Sequence, residues 1–110
     1  MTTKDLQDTI CKIRQERGFV TDPLKIYILL TEEVGELAAE LKRLWSKNYD
    51  PFDAKKLKEE IADVFVLLAA LAHEFDIDIE QAVREKFIEK DSTRHWKSAE
   101  RAVHRIKEDN

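Results

Sequence analysis

The hydrophobic pattern of this chain is helical from its first block onward. Apolar side chains stand there at i, i+4 and i+7, at Leu6, Ile10 and Ile13. This spacing places them on one helix face and predicts a helix from about Lys4 to Arg17. Gly18 is well suited to end that helix, because glycine adopts the left-handed conformation of a C-terminal cap without strain.

A longer apolar stripe marks the second block. Its members step alternately by four and three residues and are Leu30, Val34, Leu37, Leu41 and Leu44. Such a stripe is typical of a helix with one buried face. We predict this helix from about Leu24 to Lys47, followed by a turn at Pro51.

The third block is apolar on almost every side. We predict a helix from about Ala54 to Phe75 with Asp53 as its N-cap, and residues 61–72 of it read IADVFVLLAALA. A helix that is apolar all round is buried all round. Because a 110-residue chain has too few helices to surround it, we predict that a second subunit covers part of it, in a homodimer or homotetramer.

The last part of the chain is more polar. Asp78 and Gln81 have the spacing of a capping box, which predicts a fourth helix from Ile79 to about Lys90. A final, highly charged helix is predicted from about residue 92 to 107.

Composition narrows the fold and the class of protein. Two glycines and two prolines in 110 residues are too few for the corners of sandwiches, barrels and Rossmann folds. We therefore expect an all-α fold of the four-helix-bundle type, completed by dimerisation, with its core domain over residues 1–96 and a charged extension over residues 97–110.

Net charge and cysteine content limit the kinds of partner and the cellular compartment that we expect. A net charge of −4 supplies no basic field for stable nucleic-acid binding. The single cysteine excludes a disulfide framework and suits a reducing cytoplasm. No apolar run approaches the roughly 20 residues that span a bilayer, so we expect a cytoplasmic protein without a membrane partner.

Two acidic segments supply the candidate chemistry. EEVGE lies at residues 32–36 on the second helix, and EEIAD lies at residues 59–63 on the third. At 100° per residue, two acids of each segment border the apolar side of their helix, whereas Glu59 turns away. The four acids that border the core are Glu33, Glu36, Glu60 and Asp63.

Carboxylates that converge near a core repel each other and resist desolvation. A divalent cation would resolve this conflict. Mg²⁺ prefers oxygen ligands and is usually shared with substrate phosphates, and Mn²⁺ would suit the same donors.

A plainer interpretation stays open, because acids at this spacing often lie on solvated helix faces and pair with Lys or Arg. Glu36 and Glu40, for example, could pair with Lys42 and Arg43. Asp63 fits this interpretation less well, since positions 59, 60, 66 and 67 carry no positive charge. We expect Asp63 to be buried, with a partner from outside its own helix.

Residues 84–107 reverse the sign of the charge, with eight Lys and Arg residues against four Asp and Glu residues. Lys86, Lys90 and Arg94 step by four and would share one face if the helix continues. An acidic cluster beside such a face suits a polyphosphate, because a metal ion bridges phosphate oxygens and the side-chain cations neutralise the rest.

These motifs, in this order, resemble the MazG-type all-α NTP pyrophosphohydrolases. The family signature is EExxE, a spacer and ExxD, matched here by Glu32–Glu36 and Glu60–Asp63 with 23 residues between them. The resemblance extends over roughly residues 5–96 and includes DIDIEQAV at 76–83 and KFIEKDSTRHW at 86–96.

The resemblance implies Mg²⁺-dependent hydrolysis of an NTP to an NMP and pyrophosphate, in nucleotide house-cleaning or pool balancing. It implies that the metal ligands are Glu33, Glu36, Glu60 and Asp63. It makes Glu32 and Glu33 the catalytic residues, with Glu32 beside the metal, where it holds or deprotonates a water.

The resemblance also implies that Lys86, Lys90 and Arg94 bind phosphates. Asp91 stands where the family usually has Asn, a substrate contact. Trp45 is a candidate for stacking on the nucleotide base, and a place in the dimer interface is an equally good interpretation of it.

Two other functions remain open at this point. One is phosphoribosyl-ATP pyrophosphohydrolase, an enzyme of the same fold. The other is a non-catalytic acidic helical dimer that acts as an adaptor and whose carboxylates are merely solvated.

Overall fold

The computed structural model describes residues 1–94, and within that part it is all-helical, as predicted. The elements are α1 (Thr3–Glu16), α2 (Pro23–Lys42), α3 (Ala54–Glu74), α4 (Ile79–Val83) and a π-helical segment (Arg84–Lys90). The final helix does not begin at residue 92 as predicted, because residues 91–93 form a turn. The rest of that predicted helix, from residue 95, and the predicted extension over residues 97–110 lie outside the described residues. No helix within 1–94 is long and apolar enough to cross a membrane.

Polar side chains cap the helices where the sequence indicates. Asp53 accepts hydrogen bonds from the first N–H groups of α3, and Asp78 does the same for α4. The capping box predicted at α4 is only half formed, because the Gln81 amide donates to Glu85 instead of turning back. Gly18 has φ +70° directly after α1, which confirms it as the residue that ends this helix.

The core lies where α1, α2 and α3 meet. Ile26 of α2 packs there against Leu67 and Ala70 of α3. On the α1 side, the buried Cys11 thiol donates to the Ala69 carbonyl at 3.8 Å. The buried Gln7 amide donates to the Ile77 carbonyl at 2.7 Å and ties α1 to the loop before α4.

The inward face of α2 is not the one that the apolar pattern predicts. Val34, Leu41 and Leu44 are 47%, 44% and 64% exposed, so the predicted buried stripe is wrong for these three residues within a single chain. Its other members, Leu30 and Leu37, are half-buried as part of the inward line. The side chains that turn inward or lie half-buried also step by four and three, and they are Ile26, Leu30, Glu33, Leu37 and Glu40. Two carboxylates therefore stand within the line that packs on α3.

Two other boundaries differ from the sequence prediction. α2 ends at Lys42, five residues early, because Leu44 and Trp45 bond to carbonyls three residues back and tighten the last turn. The fourth helix reaches Lys90 as predicted, but it changes from α- to π-helical geometry at Arg84.

The outer face of α3 is left open by the described chain. Ile61, Leu68 and Phe75, spaced seven residues apart, are 53%, 42% and 60% exposed. One chain thus does not surround this helix, as expected from its composition. That a second subunit covers it stays a prediction.

Candidate functional site

Three carboxylates converge between α2 and α3. Glu33 and Glu36 of α2 and Glu60 of α3 each offer an oxygen within 4.8 Å of the others. We call these three residues the acidic cluster. The i, i+3 spacing on α2 aims two side chains at α3, and the packing of the two helices brings the third to meet them.

The cluster holds buried carboxylate oxygens with no side-chain cation of the described residues beside them. Glu60 is 7% exposed, and both Glu60 Oε2 and Glu33 Oε2 are buried oxygens that lack a hydrogen-bond partner. In the described part of the chain, no Lys, Arg or His nitrogen lies within 4 Å of these carboxylates. Orphaned oxygens in an all-oxygen donor set fit a hard divalent cation such as Mg²⁺ or Mn²⁺.

Electrostatics in the cluster favour the protonated acids while no cation is bound. Burial, together with the charges of Glu36 and Asp63 and a hydrogen bond with Glu60, raises the pKa of Glu33 to about 7. Burial and the charge of Glu36 likewise raise the pKa of Glu60. A cation among these groups would favour the ionised forms.

Asp63 stands at the edge of the cluster. It is exposed in the described chain, so the expectation that it is buried is wrong. Its charge still contributes to the raised pKa of Glu33, which places it close to the three converging carboxylates. Glu32 is also exposed, one residue before Glu33, and Glu59 is exposed as predicted.

Glu40 has a structural task that the sequence did not reveal. It is 1% exposed, and its Oε2 accepts a hydrogen bond of 3.1 Å from the Asp53 backbone N–H. Its other oxygen lies 3.4 Å from the Arg43 guanidinium. Glu40 thus fastens the end of α2 to the start of α3, and its pairing with Arg43 is the one that the plainer interpretation foresaw.

A cavity of about 190 Å³ lies between α1, the loop after it and the C-terminal part of α3. Another cavity, of about 260 Å³, adjoins the acidic cluster itself. The second cavity lies between α2 and α3 and is lined by Glu36, Ala39, Glu40, Arg43, Lys56 and Glu60. Lys56 is not among the residues that the sequence motifs indicate. The available signal was its position four residues before Glu60, on the same face of α3.

The predicted basic face is arranged differently from the expectation. The Lys86 ammonium donates to both Asp91 oxygens at 3.0 and 2.8 Å, and Arg94 lies 3.8 Å from the same carboxylate. The α-helical spacing of four does not hold there, because the chain is π-helical through Lys90 and then turns. The Asp91 N–H bonds to the Lys86 carbonyl five residues back, as in a π-helix.

The structure places Lys86 away from the acidic cluster of the same chain. Lys86 lines an apolar cavity with Leu68 and Phe75 of α3, and Glu60 lies eight residues before Leu68, roughly 12 Å along the helix. Trp45 is also apart from the cluster. It is 81% exposed and lines a cavity on the outer face of α2.

Comparisons with known proteins show which family the chain belongs to. Residues 22–98 match the MazG nucleotide pyrophosphohydrolase domain. The chain is 35% identical over 105 residues to the uncharacterized protein YpjD of Bacillus subtilis, with 90% of this chain and 95% of that one aligned.

A solved structure also resembles it. The crystal structure of Bacillus subtilis YpjD, described as a suspected pyrophosphatase, superposes with a TM-score of 0.66 and 35% identity. The match covers 79% of this chain and 95% of that one. The chain therefore belongs to the MazG nucleotide pyrophosphohydrolase family and is a hydrolase that acts on nucleotide pyrophosphate bonds.

Proposed function

We propose that this protein is a Mg²⁺-dependent nucleoside triphosphate pyrophosphohydrolase that converts an NTP or dNTP to the monophosphate and pyrophosphate. The observation that carries the proposal is the convergence of Glu33, Glu36 and Glu60 around buried oxygens that have no protein partner. Buried carboxylates of this kind lower the stability of the folded protein until a cation binds between them. We place this activity in the cytoplasm, as nucleotide pool house-cleaning.

The metal would be held by the acidic cluster together with Asp63. Mg²⁺ is the proposed ion, with Mn²⁺ as a substitute. When bound, the ion supplies Lewis-acid polarisation of the phosphoryl oxygens and stabilises the charge of the leaving pyrophosphate.

Glu32 and Glu33 are the proposed catalytic carboxylates. Glu32 is exposed at the rim of the cluster, where it can orient a water and take its proton. The water oxygen forms a bond to the α-phosphorus while the bond from that phosphorus to the α,β-bridging oxygen breaks. Pyrophosphate leaves with the electron pair of the broken bond, and the monophosphate keeps the water oxygen.

Positive charge from the basic segment completes the proposal. Lys86, Lys90 and Arg94 would contact the β- and γ-phosphates once assembly brings that segment to an acidic cluster. Asp91 would limit how strongly Lys86 and Arg94 attract the substrate phosphates, since its carboxylate contacts both side chains.

A homo-oligomer is part of the same proposal. Three apolar residues of α3 are about half exposed, namely Ile61, Leu68 and Phe75. Burying the rest of each side chain in a subunit contact would contribute roughly half of the 1.5–3 kcal/mol that full burial is worth. Trp45 belongs to a second exposed patch with Leu41 and Leu44, which favours a subunit contact over base stacking for this residue.

The reaction is tested by incubating the protein with Mg²⁺ and a panel of canonical, deoxy and oxidised NTPs, with products separated by chromatography. We expect NMP and pyrophosphate, and release of NDP and phosphate would contradict the proposal. Asp63→Asn should lose most of the activity and keep the fold. Glu59→Gln is the matched control, because that exposed acid of the same helix lies outside the cluster.

Assembly is tested by light scattering on wild type and on Leu68→Lys. We expect a dimer or tetramer for the wild type and a smaller species for the variant, since a charge at a buried contact is costly. A wild-type monomer at the concentrations of the activity assay would contradict this part.

A further inference from the structure

The cavity beside the acidic cluster combines both signs of charge. Glu36 and Glu60 belong to the cluster and also form one wall of the cavity, while Arg43 and Lys56 lie along the rest of it. A ligand in this cavity would therefore touch the proposed metal site at one end and two side-chain cations at the other.

Lys56 does not neutralise the carboxylate beside it. Lys56 and Glu60 stand at i and i+4 on α3, a spacing at which Lys and Glu commonly pair. In the described residues, however, no carboxylate lies within 4 Å of the Lys56 ammonium. Glu60 is meanwhile 7% exposed, with an orphaned oxygen. Both charges face the same cavity without meeting across it.

The buried carboxylate of Glu40 holds the Arg43 side chain in position. The buried Glu40 lies 3.4 Å from its guanidinium and is itself fixed by the hydrogen bond from the Asp53 N–H. The guanidinium thus stays at the cavity, with 27% of the side chain exposed. Its planar set of donors matches phosphate oxygens.

We infer that Arg43 and Lys56 bind the two phosphates of the pyrophosphate group, both in the substrate and in the released product. The cavity volume of about 260 Å³ leaves room for a pyrophosphate group, since a single water molecule takes about 30 Å³. The inference rests on the proposed function and deepens it: the α2–α3 pair carries its own phosphate-binding cations, independent of the basic segment.

The inference also orients the nucleotide. With the β- and γ-phosphates at Arg43 and Lys56, the α-phosphate lies at the acidic cluster. The nucleoside then extends past Glu33 and Asp63, away from the loop between α2 and α3. Base selection is therefore assigned to the Glu33 side of the cluster, and Trp45 has no part in it.

The test is calorimetric titration of inorganic pyrophosphate into the Mg²⁺-loaded protein. For Lys56→Gln we expect the Kd of pyrophosphate to rise about tenfold, the usual effect of losing one charge-assisted contact. Mg²⁺ affinity, titrated separately, should stay equal or become tighter, since a nearby positive charge is gone. Lys58→Gln is the matched control, with the same change on the same helix but outside the cavity.

Arg43→Gln is the second variant, and it is analysed with its unfolding temperature because Arg43 also contacts Glu40. A wild type that does not bind pyrophosphate, an unchanged Kd in both variants, or an equal loss in Lys58→Gln would each overturn the inference. The wild type could bind pyrophosphate but hydrolyse no nucleotide, while Lys56→Gln binds pyrophosphate more weakly. In that case the proposed function fails, and the assignment of Lys56 to pyrophosphate binding stands.

Discussion

The acidic cluster and the basic segment after α4 carry their charges in opposite ways. Glu33, Glu36 and Glu60 converge, and in the described chain no side-chain cation lies within 4 Å of them. Lys86, in contrast, shares its charge with Asp91 through two hydrogen bonds. Buried carboxylates without a cation beside them indicate a site for a metal ion, whereas the charge of Lys86 is already balanced by an acid of the same chain.

Burial explains why the difference matters. An exposed ion pair such as Lys86–Asp91 contributes little to stability, about 0–1 kcal/mol for a typical surface pair. Carboxylates removed from water have a much larger desolvation cost, which the raised pKa of Glu33 expresses. Binding of a cation from solution should therefore stabilise the folded protein far more at the acidic cluster than binding of a phosphate does at the basic segment.

The largest effect is expected from Glu60→Gln. Gln cannot offer an anionic ligand, so we expect kcat/KM to fall roughly 100-fold or more. The same change removes like-charge repulsion, because the pKa of Glu60 is raised by burial and by Glu36. The unfolding temperature without metal should therefore not fall.

Steady-state kinetics and thermal unfolding with and without Mg²⁺ measure both effects of Glu60→Gln. A variant that keeps full turnover would show that the acidic cluster is not the catalytic site. A variant that unfolds more easily without metal would show that a positively charged group of the protein stabilises the Glu60 carboxylate, contrary to the contrast drawn between the two regions.

An intermediate effect is expected from Glu33→Gln on metal-free stability. The pKa of Glu33 in the folded protein is about 7, above its ordinary value of 4.5. The folded state then holds the proton more tightly, and its stability falls as pH rises from the lower value to the higher. Gln carries no charge, so the variant should gain about 1–2 kcal/mol over wild type above pH 7, allowing for solvent screening.

Denaturant unfolding in a chelator at pH 5 and pH 8 measures the Glu33→Gln difference. The two proteins should be nearly equal at pH 5, and the variant should be more stable at pH 8. Adding Mg²⁺ should reverse that order, because only wild type has the full ligand set. Equal stability at both pH values would mean that Glu33 is not desolvated.

The smallest effect is expected from Asp91→Asn. The hydrogen bond from Lys86 lowers the pKa of Asp91, so this carboxylate stays ionised and holds the cation. Asn would release Lys86 toward the substrate, and KM for the nucleotide should fall about two- to threefold at low salt. An unchanged KM at low salt would indicate that the basic segment does not contact phosphate.

Much of the site could be predicted from spacing alone. Glu33, Glu36 and Glu60 converge as the helical angles indicate, because the period of a helix fixes which side chains share a face. Angles along one helix do not report how deep a side chain lies. The expectation that Asp63 is buried is therefore wrong, and the spacing that suggests a pairing of Glu40 with Arg43 does not show that Glu40 is fully buried.

By itself the sequence determined the helices, their caps and the acidic pairs, since these depend on neighbours within one or two turns. Only the tertiary structure decided which face of α2 turns inward, and it turned carboxylates toward α3 while leaving Val34 and Leu41 outside. It also brought Lys56 to the cavity beside Glu36. The physical reason is that such contacts depend on how two helices pack, and the hydrophobic pattern of one helix does not say whether its partner belongs to the same chain.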